Sequence, residues 1–195
     1  MFAAAGSEAA ADVWLWATPT RYVDGVGRAV GWPGAGLIAQ AARSKLCPAA
    51  PDGPCRPRRG LDGRSRCPAC GLWWSAAQVP ACGAVARSAD SVGIDVEDRR
   101  RRPAAWRRAS VFSGVTLTGP EHWTQGEALW KAAGRGRRDP QPGEIPVPVS
   151  WVDGWQASRD NVWWIYTDGH GPNPWSVALP KKAATPPRLR VAGVP

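Results

Sequence analysis

Hydrophobic and polar positions alternate along Asp12-Val-Trp-Leu-Trp-Ala17, and that period predicts a first strand. Gly71–Ala77 and Ala81–Ala86 read as two more strands, separated by a turn at Pro80. Ser91–Glu97 alternates clearly. Val162–Tyr166 and Trp175–Leu179 form a last pair, expected as a hairpin joined by residues 167–174. Helical signals are fewer. Leu37–Leu46 carries good helix formers and is stopped by Pro48. Glu121–Ala133 reads as a helix that ends at Gly134-Arg-Gly136, where glycine suits the C-terminal cap.

Between these elements the chain is punctuated. It holds 22 glycines and 20 prolines, so long loops are expected. Residues 47–70 and 137–150 read as loops. Arg99–Arg108, interrupted by Pro103, reads as a solvated loop or a helix start. The tail from Pro180 reads as loosely attached, and no exact internal repeat is present. Both helices and the separated strand pairs give an α+β fold class.

A chain of 195 residues can bury one substantial core or two small ones packed together. Its 44% apolar content excludes a disordered chain, and thirteen tryptophans predict a core and pocket walls built from large rings. The formal charge of +9 points to an anionic partner without choosing among phosphorylated cofactor, acidic protein and nucleic acid. The uncharged stretch Ala29–Ala42 contains Pro33 and is too short to span a bilayer. Residues 1–11 lack a basic segment before their alanines, so a secretory signal is not expected and a cytoplasmic protein is. Cys67-Pro-Ala-Cys70 has the spacing of a metal knuckle. Its upstream cysteines, Cys47 and Cys55, do not form a second close pair, so the expectation is reduced thiols rather than zinc.

Two segments carry candidate chemistry. In Val92-Gly-Ile-Asp-Val-Glu97, a strand puts Val92, Ile94 and Val96 on one face and Asp95 and Glu97 on the other. Two adjacent carboxylates repel unless a cation lies between them, and oxygen ligands suit a hard divalent cation. In Trp123-Thr-Gln-Gly-Glu-Ala-Leu-Trp-Lys131, Glu127 and Lys131 are four residues apart on one helix face. That pair reads either as a surface ion pair or as a base and an ammonium aimed at one ligand. Trp123 and Trp130 form a stripe that anchors the helix.

Together these segments resemble the 4'-phosphopantetheinyl transferase superfamily. Its pattern is G-I-D-x-E, followed by W-x-x-K-E-A-x-x-K-x-x-G. Val13-Trp-Leu-Trp16, Phe112-Ser113 and Trp163–Leu179 resemble other parts of the family in the same order, so the likeness runs from about residue 12 to 180. The resemblance implies two pseudo-symmetric halves, each a small antiparallel sheet with a long helix, dividing near residue 88 into 1–88 and 89–195. It implies a monomer that transfers 4'-phosphopantetheine from coenzyme A to a serine of an acidic acyl or peptidyl carrier protein, as a holo-acyl-carrier-protein synthase does. Asp95, Glu97 and Glu127 would bind Mg2+, or Mn2+, with the pyrophosphate. Glu127 would serve as base, and Lys131 would contact a phosphate oxygen. Arg64 and Gln78 would contact coenzyme A, and Arg99–Arg108 would face the carrier.

The match has gaps. The family's lysine before the glutamate is Gly126, for which Arg135 or Arg137 is a candidate replacement. Its Ser-His coenzyme contact falls on Ala77 and Gln78. Two alternatives follow: a non-catalytic relative that binds coenzyme A or a carrier protein, and a basic nucleic-acid-binding module.

Overall fold

The computed structural model describes residues 10–17, 46–47, 50–100, 102–135 and 138–194. These form twelve strands and two helices. The strands are β1 (Ala10–Ala17), β2 (Leu46–Cys47), β3 (Ala50–Pro54), β4 (Arg58–Arg59), β5 (Ser65–Arg66), β6 (Trp73–Val79), β7 (Cys82–Ser88), β8 (Gly93–Val96), β9 (Gly154–Ala157), β10 (Trp163–Asp168), β11 (Trp175–Pro180) and β12 (Arg188–Val194). The helices are α1 (Pro103–Ser113) and α2 (Pro120–Ala132). The fold class is α+β.

One sheet has the order β12-β1-β7-β6-β5-β4, a second β8-β11-β10-β9, and β2 and β3 pair separately. Three layers result. Val13, Ala77, Val79, Ala84 and Ala86 of the first sheet pack against Ile94, Val96, Val177 and Leu179 of the second in one core. The opposite face of the second sheet carries α2, where Ala128, Leu129 and Ala132 pack with Ile165 and Ala178. The predicted alternation holds in β8. Val92, Ile94 and Val96 are buried in the inter-sheet core, and Gly93 and Asp95 turn toward α2.

Glycine at position 93 is imposed by that packing. A Cβ there would lie 1.9 Å from the Ala128 carbonyl oxygen and 2.5 Å from the Ala132 nitrogen. The C-terminal end of the helix is also set by sequence. Gly134 has φ +74. Its N–H donates to Lys131 O at 3.1 Å, and the Arg135 N–H donates to Trp130 O at 3.3 Å. This pair of bonds is the Schellman closure that a left-handed glycine permits.

Several expectations are corrected. The predicted helix Leu37–Leu46 lies outside the described residues except for Leu46, which is in β2. Residues 47–70 are not plain loop, since they contribute β2 to β5. The basic run becomes α1, with Pro103 in its first turn, where the missing N–H costs nothing. The tail is not loose: β12 pairs parallel with β1, from Ala10↔Arg188 to Trp16↔Val194. That pairing carries residues 188–194 into the sheet of the first half, so the chain does not divide cleanly at 88. Both described helices lie beyond residue 102.

Candidate active site

Glu127 and Lys131 project from α2 into a cleft of about 1260 Å³. One wall is the segment from Pro54 to Ser65, continued by Trp74 and Ala76. The facing wall comes from α1 and α2, including Phe112, Trp123 and Trp130. The two tryptophans of the predicted stripe therefore serve as ring walls as well as anchors.

Behind Lys131 lies β8. The Lys131 Nζ donates to Asp95 Oδ1 at 2.6 Å and to the Ile94 carbonyl oxygen at 3.1 Å. Asp95 is buried, and its second oxygen, Oδ2, has no partner. Burial pushes the Asp95 carboxyl above its ordinary range, against the pull of Lys131. Glu97 accepts an ion pair from Arg102 at 3.4 Å. Burial and the neighbouring Asp95 charge still push it up. Glu127 is pushed up to about 7, by burial first and then by the charges of Asp95 and Glu97, with Lys131 opposing. Asp95 thus raises the proton affinity of both other carboxyls, and Glu97 raises that of Glu127, which marks a site short of positive charge.

Among the three acids, Asp95 Oδ2 is a buried acceptor without a partner. Their oxygens do not all fall within 4.8 Å of one another. Among the described residues, one group of three such side chains does: Cys55, Cys67 and Cys70.

Arg64 lines the same cleft and is held firmly. Its guanidinium pairs with Asp62 at 2.6 Å, donates to Ser91 Oγ at 3.2 Å and lies 4.6 Å over the Trp73 ring. Ser91 in turn donates to the Ala132 carbonyl at the end of α2. A loop arginine is thereby fixed to the C-terminus of the site helix, where a cation suits the helix dipole.

Other predicted contacts differ. Gln78, at the far end of β6 opposite Gly83, does not line the cleft. Ala77 faces the inter-sheet core. The serine earlier on that strand, Ser75, accepts the Ile94 N–H at 3.1 Å and so pins β8 to β6. Arg135 is paired with Glu144, and Arg137 lies outside the described residues. The cations that do line the cleft besides Arg64 and Lys131 are Arg56, Arg59, Arg108 and Arg138. Sequence reasoning gave a role to Arg108 alone, as part of the carrier-facing run. Arg56 and Arg59 lie in an Arg-Pro-Arg-Arg stretch that runs into β4, and its only sequence signal is charge.

The basic run is mostly consumed by internal partners. Arg99 pairs with Glu121 at 2.6 Å and donates to Gly169 O and Gly171 O. Arg100 and Arg102 pair with Asp98. Arg108 reaches Asp139 at 3.4 Å. His122 is buried, with Nε2 2.8 Å from the Pro148 oxygen, and burial holds its pKa down. It is a packing histidine. No helix among the described residues is long and apolar enough to cross a membrane.

No family model matches this sequence, and no curated protein matches it.

Proposed function

We propose that this chain transfers 4'-phosphopantetheine from coenzyme A to a serine of an acidic carrier protein, as its two motifs imply. The observation that carries the reading is the meeting of Glu127, Lys131 and Arg64 in one cleft, with Asp95 against Lys131. A base near pH 7, a lysine and a ring of arginines suit a reaction in which a hydroxyl attacks a pyrophosphate.

In that reaction the serine oxygen bonds to the phosphorus bearing the pantetheine arm. The bond from that phosphorus to the bridging oxygen breaks, and adenosine 3',5'-bisphosphate leaves with the electron pair. Glu127 accepts the serine proton. Lys131 meets a phosphate oxygen as charge develops on it. Arg56, Arg59 and Arg64 hold the remaining phosphates, and the Trp and Phe rings cover the apolar arm. Asp95, Glu97 and Glu127 would hold Mg2+ or Mn2+, which neutralises pyrophosphate charge.

The test is a carrier protein mixed with coenzyme A, magnesium and the full chain. The carrier should gain the phosphopantetheine mass, and Glu127→Gln should abolish the gain. No gain across several carriers defeats the reading. A second reading, binding without turnover, is favoured by Gln78 lying outside the cleft and by Gly126 in place of a lysine. It predicts calorimetric binding of coenzyme A with no mass gain.

A further inference from the structure

Three of the cysteines expected as reduced thiols come together in three dimensions. Cys55 comes from the end of the β2–β3 hairpin, and Cys67 and Cys70 come from the turn before β6. Their three sulfurs all lie within 4.8 Å of one another, and Cys55 Sγ is 3.7 Å from Cys70 Sγ. The three share no disulfide. A tetrahedral zinc with Zn–S bonds of about 2.3 Å sets its sulfurs about 3.8 Å apart. The observed 3.7 Å is that spacing and far exceeds an S–S bond.

The turn that presents Cys67 and Cys70 is built for the purpose. The Cys67 N–H donates to Leu72 O at 2.9 Å, and the Gly71 N–H donates to Cys67 O at 2.8 Å. Gly71 takes φ +74, a conformation that favours glycine. The backbone N–H groups of Cys70, Arg56 and Ala69 face the Cys67 sulfur, donors that suit a thiolate. Cys55 and Cys67 are 3% and 1% exposed, so the sulfurs are shielded from solvent.

A fourth donor is needed to close a structural tetrahedron. Sulfur donors select zinc over the hard cations that suit carboxylates.

We propose that Cys55, Cys67 and Cys70, with a fourth donor to complete the tetrahedron, form a structural zinc site that clamps the arginine-bearing wall of the cleft. Pro54, Cys55, Arg56, Arg59 and Arg64 all belong to that wall. β4 and β5 have two residues each, so little regular structure holds it otherwise. This site is independent of the transferase reading, since its test reads metal rather than turnover.

The full chain is purified under reducing conditions without chelator, and its metal is measured by mass spectrometry. About one zinc per chain is expected, and replacement by Co2+ should give the charge-transfer and visible bands of a tetrahedral thiolate site. Cys55→Ser, Cys67→Ser and Cys70→Ser should each lose stoichiometric zinc. Cys82→Ser, which alters a thiol outside the cluster, should keep it. If the serine variants fail to fold, the wild type still decides: a chelator should remove zinc and lower its unfolding temperature. Folded wild-type protein with neither zinc nor a cobalt–thiolate spectrum overturns the proposal. So does bound iron, or a disulfide joining these cysteines in place of metal.

Discussion

Gly93 and Ala128 touch backbone to backbone: a Cβ on Gly93 would fall 1.9 Å from the Ala128 carbonyl oxygen. This contact seats α2 on β8. It brings Lys131, on the next turn of the helix, onto Asp95 at 2.6 Å. The glycine of the G-I-D motif thus acts through packing, and the aspartate acts through charge.

Gly93→Ala should therefore be severely destabilising, by about 3 kcal/mol or more, because backbone atoms on both sides cannot yield like a side chain. Urea unfolding measures it. A loss under about 1 kcal/mol would show that α2 can shift away.

Glu127→Gln should abolish transfer and yet stabilise the fold above neutral pH. The folded carboxyl sits near 7 against an ordinary 4.5, so the folded state holds its proton more tightly. Stability from this group is present below about pH 4.5 and is lost as pH rises to about 7. At pH 8 the glutamine variant should be more stable by up to about 2–3 kcal/mol. Wild-type transfer should rise with pH through about 7, as a base requires. Equal unfolding temperatures of the two proteins at pH 8 would contradict the shared burial of the acids.

Gly126→Lys should be tolerated and should strengthen coenzyme A binding. A Cβ there meets Val147 Cγ2 at 3.5 Å, an ordinary contact, and the position lines the cleft. Replacing a mid-helix glycine should itself add up to about 1 kcal/mol of stability. The added ammonium should lower the coenzyme A dissociation constant roughly tenfold, as one charged hydrogen bond does. Calorimetry on the two proteins measures this, and unchanged affinity would show that the lysine head turns away from the phosphates.

Glu144 joins Arg135 and Arg138 and accepts the Gln141 N–H at 2.9 Å. The Arg138 hydrogen bond leads in holding its carboxyl down at about 2. Its contribution is present above the ordinary value of 4.5 and is lost as pH falls to about 2. Glu144→Gln should thus be less stable than wild type at neutral pH, with the difference closing in that acid window. Thermal melts across pH follow it.

The candidate site was legible because its residues are local in sequence. Asp95 and Glu97 follow from strand alternation, and Glu127 and Lys131 from helical spacing. Arg56 and Arg59 were not legible, because an arginine in an irregular segment carries no period. Arg188-Leu-Arg-Val191 does alternate, but the prolines and lysines before it read as a tail. Only its parallel pairing with β1 makes it a strand.

The sequence by itself determined the strands β1, β6, β7, β8, β10 and β11, the helix α2 and its glycine stop, and which carboxylates and lysine share a face. Each of these depends on neighbours within a few residues. Tertiary structure alone decided that Lys131 meets Asp95 across 36 positions, that Arg64 is tied through Ser91 to the end of α2, and that Cys55 joins Cys67 and Cys70. It also decided that Gln78 stays out of the cleft. Distances between residues far apart in the chain are set by how layers pack, and no local period records them.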